Sequence, residues 1–383
     1  MVHLKQASLV LDALSVSKSH GKGLLRQAIE ILEMKRRNPT LGATDYFAYR
    51  LYDPKVVSAS GPEQFLGSRA EEKVALALNL RTLTLPAWDK ATFAIIAGVH
   101  DLPVPRLHGL YRPGCGSLDV AETVLGSPGA LARWLRTTTT WPLFAKPAYS
   151  QDGFGCHVFV GYDRALDSMC LGNGKTLRVD DFVSTIVGVP SDPSYKREMG
   201  YLFQEVLRPH PLVAELLGNQ AISSARIVVA QDEVGPTVAA TALKIVTGND
   251  QAGRFRCGST GNLVGHIDRE TGRLSRVVDG FGPRAKVHSQ SPDTGRPFTD
   301  FVMPDWPQVV ALCLRAATAL PLLRIQHWDV AITNRGPVIL GLRDVAPIGF
   351  LQINGAGLLT DKIRRLLCES APAMPMFAWL RDA

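Results

Sequence analysis

The apolar positions of the first 80 or so residues recur at helical spacing. In "KGLLRQAIEILEMKRRNP", Leu25, Ile29 and Leu32 share one face, cations close the segment as suits a helix C-terminus, and Asn38-Pro39 stops it. "SRAEEKVALALNL" repeats that logic, while the aromatic "TDYFAYRLYD" fits either helix or strand. From about residue 86 the texture changes to short apolar runs separated by Gly, Pro and Asp. "WPLFAKPAYSQDGFGCHVFVGYD" predicts strand, glycine-containing turn, strand, and "YLFQEVL" a strand that ends at Pro209. "SARIVVAQDEVGPTVAATALKIVTG" predicts two strands around a turn. A polar, Gly-rich interval runs to about residue 302, where "GNLVGHIDRETGRL" and "SPDTGRPF" read as turns between strands. A helix near "WPQVVALCLRAATAL" follows, then a hairpin, "WDVAITNRGPVILGLRD", with Asn334 and Gly336 in its loop. Strands interleaved with a few helices, behind a helical N-terminal region, predict an α+β fold. No internal repeat or low-complexity segment interrupts it.

Composition narrows the class. With 383 residues, 46% of them hydrophobic, the chain has enough apolar material for two or three structural units. Its formal charge of +7 is scattered, apart from short groups such as Lys35 to Arg37. Without a basic tract or basic-aromatic alternation, that charge fits solubility and an anionic ligand better than nucleic acid. The six cysteines form neither a CxxC nor a Cys/His cluster, which argues against zinc and for reduced thiols. The first residues lack a cleavage signal, and no apolar run approaches the roughly 18 residues of a membrane span. A soluble, cytoplasmic protein is expected.

Four constellations carry candidate chemistry. In "FAKPAYSQDGFG", Lys146 lies in an apolar strand just before Ser150, Gly153 and Gly155. A buried ammonium calls for an anion, and the turn's amides would suit phosphate oxygens. A surface hairpin with a snorkelling lysine fits equally. In "LFQEVLRPHP", Gln204 and Glu205 end an apolar strand, either as a base- and ribose-binding edge or as ordinary exposed polar residues. Arg226 and Lys244 sit within otherwise apolar strands, which implies an internal ion pair or an anion contact. Asp329 opens the late hairpin and Asp344 closes it, giving either a hard oxygen site for Mg²⁺ or two capping aspartates. There is no Walker loop, dinucleotide fingerprint, GxSxG or HExxH.

Taken in order, these pieces resemble the ATP-grasp superfamily, in particular its sugar-transfer-associated branch, related to α-L-glutamate ligases. The resemblance runs from "YFAYRLYD", Asp89-Lys90 and "LPVPRLHGLY" through "FAKPAYSQDGFG", "FQEVLRPHP" and "SSARIVV" to "MPDWPQVVALCLRAA" and "HWDVAITNRGPVIL". It covers roughly residues 40 to 375. It implies an ATP-grasp fold of two α+β subdomains gripping ATP: a helical region at 1–85, a central and lid subdomain at 86–205, and a C-terminal catalytic subdomain at 206–383.

The resemblance also implies an ATP-dependent ligase that joins a carboxylate to an amine through an acyl phosphate, with ATP and Mg²⁺ as cofactors. A degenerate binding or scaffold module and a small-molecule kinase are the alternatives. On the family pattern Lys90 and Lys146 contact the nucleotide, the Ser150–Gly155 turn is a flap, and Gln204, Glu205, Val206 and Leu207 line the adenine hinge. Arg226, Lys244 and Arg343 fall to the catalytic set, and Asp329 with Asp344 to the metal. One departure stands out. Where the family's second hairpin strand carries Glu-x-Asn, this chain has Gly341 and Arg343.

Overall fold

The computed structural model describes residues 2–57, 61–150, 155–188, 197–247, 260–353, 355–370 and 374–381. Two seven-stranded sheets organise them. The first comprises β1 (Leu107–Tyr111), β2 (Val124–Leu125), β3 (Leu143–Pro147), β4 (His157–Asp163), β5 (Ser168–Leu171), β6 (Thr176–Arg178) and β7 (Tyr201–Glu205). Its spatial order is β2-β1-β7-β3-β4-β5-β6, with β1 and β2 parallel and the other pairs antiparallel. The second comprises β8 (Ser224–Asp232), β9 (Gly235–Ile245), β10 (Leu263–Ile267), β11 (Leu274–Val278), β12 (Val287–His288), β13 (Ile325–Thr333) and β14 (Gly336–Arg343). Its order is β12-β11-β10-β9-β8-β13-β14, antiparallel throughout.

The period-2 rule explains why β8 reads as one unbroken apolar run. Val228 and Ala230 face a core shared with the N-terminal helices, while Ala225, Ile227 and Val229 face the helix Trp306–Thr318. Both faces are covered, so both sets are apolar. Arg226 lies two residues before Val228 and therefore belongs to the face of the N-terminal helices. On β13, Asp329 alternates with Trp328 and Val330, which pack against the other face. The same alternation sets Lys244 on β9 apart from Leu243 and Ile245. Three ionisable side chains thus share one sheet face.

The N-terminal helices close no core of their own. Tyr46, Phe47, Phe65 and Leu78 are buried in one cluster with Val228, Ile325, Leu351, Ile363 and Leu367. The first sheet has a separate core, in which Leu131, Leu135, Phe182 and Ile186 cover Phe159 and Phe203.

Two sequence expectations change. The helix Leu24–Arg37 forms, but its apolar stripe points outward, with Leu25 76% and Leu32 67% exposed. The side that docks is mixed: Met34 is buried and Ile31 packs on the core beside polar contacts. Gln27 donates to the carbonyls of Ala13 and Lys22, and Glu30 accepts from Lys22 and from the Tyr46 hydroxyl. The Gly-rich interval before residue 302, in turn, contains β10, β11 and β12. Among the described residues no helix is long and apolar enough to cross a membrane.

Candidate active site

A cavity of about 540 Å³ opens between the two sheets. Its floor is the charged row of the second sheet. Cross-strand register places Arg226 beside Asp329, Asp329 beside Gly341, and His327 beside Arg343. Lys244 joins from β9, opposite Ser224.

The register creates an ion cluster. Arg226 meets Asp329 in a two-pronged pair, Nε to Oδ1 and Nη2 to Oδ2, both at 2.8 Å. Lys244 Nζ approaches Oδ1 at 2.7 Å, and Arg343 Nε stands 3.8 Å from Oδ2. Burial alone would raise the Asp329 pKa, but Arg226 and Lys244 outweigh it and hold the carboxyl far below its usual range. Burial lowers Lys244 to about 8, with Arg226 and Arg343 adding to the fall against the pull of Asp329. Next to them His327 is buried, and desolvation together with Arg226 lowers it to about 3, so it is neutral. The Arg226 guanidinium also lies over the Phe350 ring at 5.5 Å, and among the described residues its buried Nη1 has no acceptor.

The opposite wall brings two more lysines. Asp89 caps the helix Lys90–Val99 by accepting from the Ala91 N–H, and is itself fixed by Arg112 at 2.7 Å. That cap sets Lys90 at the first helical position, where its Nζ contacts the carbonyls of Ser150 at 3.1 Å and Ala148 at 3.4 Å. Lys146, on β3, is only 7% exposed, and its Nζ reaches the Leu340 carbonyl at 3.4 Å. Among the described residues neither lysine has a carboxylate partner. Burial and the nearby Lys146 and Arg343 charges lower Lys90 to about 7, and burial lowers Lys146 to about 8. Two ammoniums held on main-chain carbonyls are offset only in part, Lys90 by Asp89 and Lys146 by Asp329.

The segment leaving β7 lines the third side. Gln204 is buried, donates to the Pro105 carbonyl and leaves Oε1 without a donor. Glu205 accepts from the Arg106 N–H at 2.7 Å and pairs with Arg335 in the β13–β14 turn. Its carboxylate therefore ties the two sheets together. Val206, Leu207, Phe144 and Val158 give this side an apolar lining.

Ser150 lines the cavity and Gly153 lies outside the described residues. Gly155 takes φ +70° beneath Tyr201, whose hydroxyl donates to its carbonyl. A Cβ there would meet Pro147 at 2.9 Å, so the tight approach requires glycine. Most of the Gly253–Gly261 loop is also outside the described residues.

The donor set does not fit a resident Mg²⁺. Such an ion takes several oxygens with free lone pairs. Both Asp329 oxygens are engaged by cations, Gly341 offers no side chain and Arg343 brings positive charge. Asp344 is buried at the end of β14 and accepts from the Val345 N–H at 2.8 Å. Among the described residues no group of three or more His, Cys, Asp or Glu side chains is placed to hold a metal.

Sequence reasoning missed several contributors. Arg335 was hidden in a turn motif, and the Leu340 acceptor is a main-chain atom with no sequence signature. Cys156 and the stacked rings of Trp88 and Tyr149, 5.6 Å apart, also bear on the Lys90 side.

Comparison with known proteins follows the same outline. The model of a family described as sugar-transfer associated ATP-grasp matches residues 69–365. No curated protein matches the sequence. Among solved structures, the D-alanyl-alanine synthetase A of Vibrio cholerae is 9% identical, with a TM-score of 0.44 over 78% of this chain and 72% of that one. A RimK domain ATP-grasp protein of Sphaerobacter thermophilus is 13% identical, with a TM-score of 0.37 over 76% of each chain. The VanG D-Ala:D-Ser ligase of Enterococcus faecalis is 10% identical, with a TM-score of 0.40 over 76% of this chain and 63% of that one.

Proposed function

We propose, for a chain that belongs to the sugar-transfer associated ATP-grasp family, an ATP-dependent ligase that joins a carboxylate to an amine and releases ADP and phosphate. Its fold is the α+β ATP-grasp fold, with a helical N-terminal region. The observation that carries the reading is the pair of lysines, Lys90 and the buried Lys146, that line the cavity with carbonyls as hydrogen-bond acceptors and no ion pair to a carboxylate among the described residues.

In this reading the nucleotide base lies against Val206 and Leu207, and Gln204 Oε1 accepts from its exocyclic amine. Lys90 and Lys146 take the phosphates. The carboxylate substrate attacks the terminal phosphorus, forming an acyl phosphate as the bond to the ADP oxygen breaks. The amine then displaces phosphate at the acyl carbon and loses a proton. Such transfer depends on positioning and charge neutralisation more than on covalent help from the protein. Lys244 and Arg343, on the floor, stand where charge would build on the transferred group. Arg226 acts through them by fixing Asp329.

The test is ADP release measured over pairs of small carboxylates and amines. The reading expects release that requires both partners, together with thermal stabilisation by ATP or ADP. Stabilisation should reach about 2.7 kcal/mol at a hundredfold excess over Kd. A chain that neither binds nucleotide by calorimetry nor is stabilised by it is not this enzyme.

One observation favours a second reading, a nucleotide-binding module without turnover: the cation-closed Asp329 beside Gly341 and Arg343. Tight nucleotide binding with no ADP release across the substrate panel would select it.

A further inference from the structure

We infer that the cleft holds the phosphates of its ligand without a protein-bound divalent cation, the tethered guanidinium of Arg343 supplying positive charge at the floor instead. The inference rests on the nucleotide reading of the cleft and concerns how that site is neutralised.

Three observations converge. The first is the state of Asp329. Its two oxygens already receive three hydrogen bonds or ion contacts at 2.7 to 2.8 Å, from Arg226 and Lys244. A divalent ion placed there would have to displace these donors and sit among three cations, Arg343 included. Asp329 is better described as the counter-ion that keeps the cationic floor assembled.

The second is the vacant step beside it. Gly341 is the direct cross-strand neighbour of Asp329, and a Cβ built on it meets no heavy atom within 4 Å. There is room for a metal-binding side chain, so crowding does not explain the glycine. Two residues on, Arg343 returns to the same face and brings a positive charge within 3.8 Å of Asp329 Oδ2. The strand therefore supplies a cation where a metal site would need oxygens.

The third is unspent donor capacity. Arg226 is 3% exposed and its buried Nη1 has no acceptor among the described residues. Among the described residues Lys90 and Lys146 hydrogen-bond only to carbonyl oxygens, with the Asp89 and Asp329 carboxylates acting on them from beyond ion-pair distance. Among the described residues the cavity is lined by Lys90, Lys146, Lys244 and Arg343, with Arg226 bound to Asp329, against Asp329, the peripheral Asp344 and Glu205, whose charge Arg335 meets. A di- or triphosphate matches that surplus by charge and by its many acceptor oxygens. A metal would add to the surplus.

The experiment is calorimetric titration of the full chain with ADP and with a non-hydrolysable ATP analogue, in EDTA and in millimolar Mg²⁺. The expected result is a Kd that changes less than fivefold between the two conditions. Arg343→Asn should weaken binding in EDTA fivefold or more. The Gly341→Glu/Arg343→Asn double variant should restore affinity in Mg²⁺ only. Tightening of the wild-type protein by fivefold or more in Mg²⁺ overturns the inference while leaving the nucleotide reading in place, and this comparison requires no variant to fold. Unchanged binding by Arg343→Asn in EDTA overturns it as well. If neither nucleotide binds, tripolyphosphate in EDTA separates the two ideas. Binding that Arg343→Asn abolishes keeps the anion site and removes the nucleotide reading, and no binding overturns both.

Discussion

Replacing Lys146 by methionine should make the protein more stable and less able to bind nucleotide. The side chains are similar in length, so the change removes an ammonium from a site only 7% exposed while keeping most of the packing. In the fold, burial lowers Lys146 from the ordinary 10.5 to about 8. At about 1.4 kcal/mol for each pH unit of separation, that gap is roughly 3 kcal/mol. The sign follows from proton counts. Below pH 8 both folded and unfolded chains hold the proton, and the folded state bears the full cost of the buried charge. Between pH 8 and 10.5 the unfolded chain holds more protons, so wild-type stability gains on the variant as pH rises. Lys146→Met should therefore exceed wild type by about 2–3 kcal/mol in urea denaturation at pH 7, with the advantage vanishing near pH 10.5. Its nucleotide affinity should fall tenfold or more. A variant that is less stable than wild type at pH 7, or an advantage that does not change with pH, would refute the reasoning, because the ammonium would then be satisfied in the free protein.

Three further outcomes follow from the same site. Nucleotide binding between pH 7 and 9 should take up protons, because phosphates favour the charged forms of Lys90 and Lys146, which free burial holds near 7 and 8. Calorimetry in buffers of different ionisation enthalpy should show that uptake, and affinity should weaken as pH rises through the window; a heat independent of buffer contradicts it. Arg226→Ala should destabilise the protein by about 3 kcal/mol, since it takes the two-pronged partner from Asp329 and leaves it to Lys244 and Arg343, whereas Arg343→Asn should cost far less. Urea midpoints of the two variants decide this, and similar midpoints would mean that Asp329 does not depend on Arg226. Cys156 lines the cavity, so saturating nucleotide should slow its alkylation while partly exposed Cys115, Cys170 and Cys368 react unchanged. Peptide mass spectrometry reads the difference, and equal slowing at all four would indicate global tightening.

Strands β8, β9, β13 and β14 of the second sheet were legible because apolar runs, broken by Asp-Glu-Val-Gly and Thr-Asn-Arg-Gly, carry their own turn chemistry, whereas β10, β11 and β12 were masked by the Gly-rich texture around them. Charged residues were equally visible, since Arg226 and Lys244 in these strands and Lys146 on β3 of the first sheet violate the apolar pattern around them. Their partners were not. Which cation closes on Asp329 depends on the alignment of β8, β13 and β14, and a one-residue slip would turn each side chain to the opposite face. The tie between Glu205 and Arg335 has the same character, because it joins a strand end of one sheet to a turn of the other. Helix Leu24–Arg37 shows a different limit. Its periodicity located a helix and an apolar stripe correctly, but Gln27, Glu30 and Lys22 determine that the other side docks.

The separate cores described above bear on how such a chain can be recombined. One face of the first sheet closes on residues between Tyr111 and Phe203, while its other face packs Leu107, Leu110 and Leu202 against Ala91 of the helix Lys90–Val99. The N-terminal helices, the strands of the second sheet and the last helix instead interleave in one interior reaching from Val16 to Leu380. An exchange of the 107–205 segment would therefore have to match the helix Lys90–Val99, whereas trimming the helices ahead of that one would uncover the chassis on which the charged row is mounted.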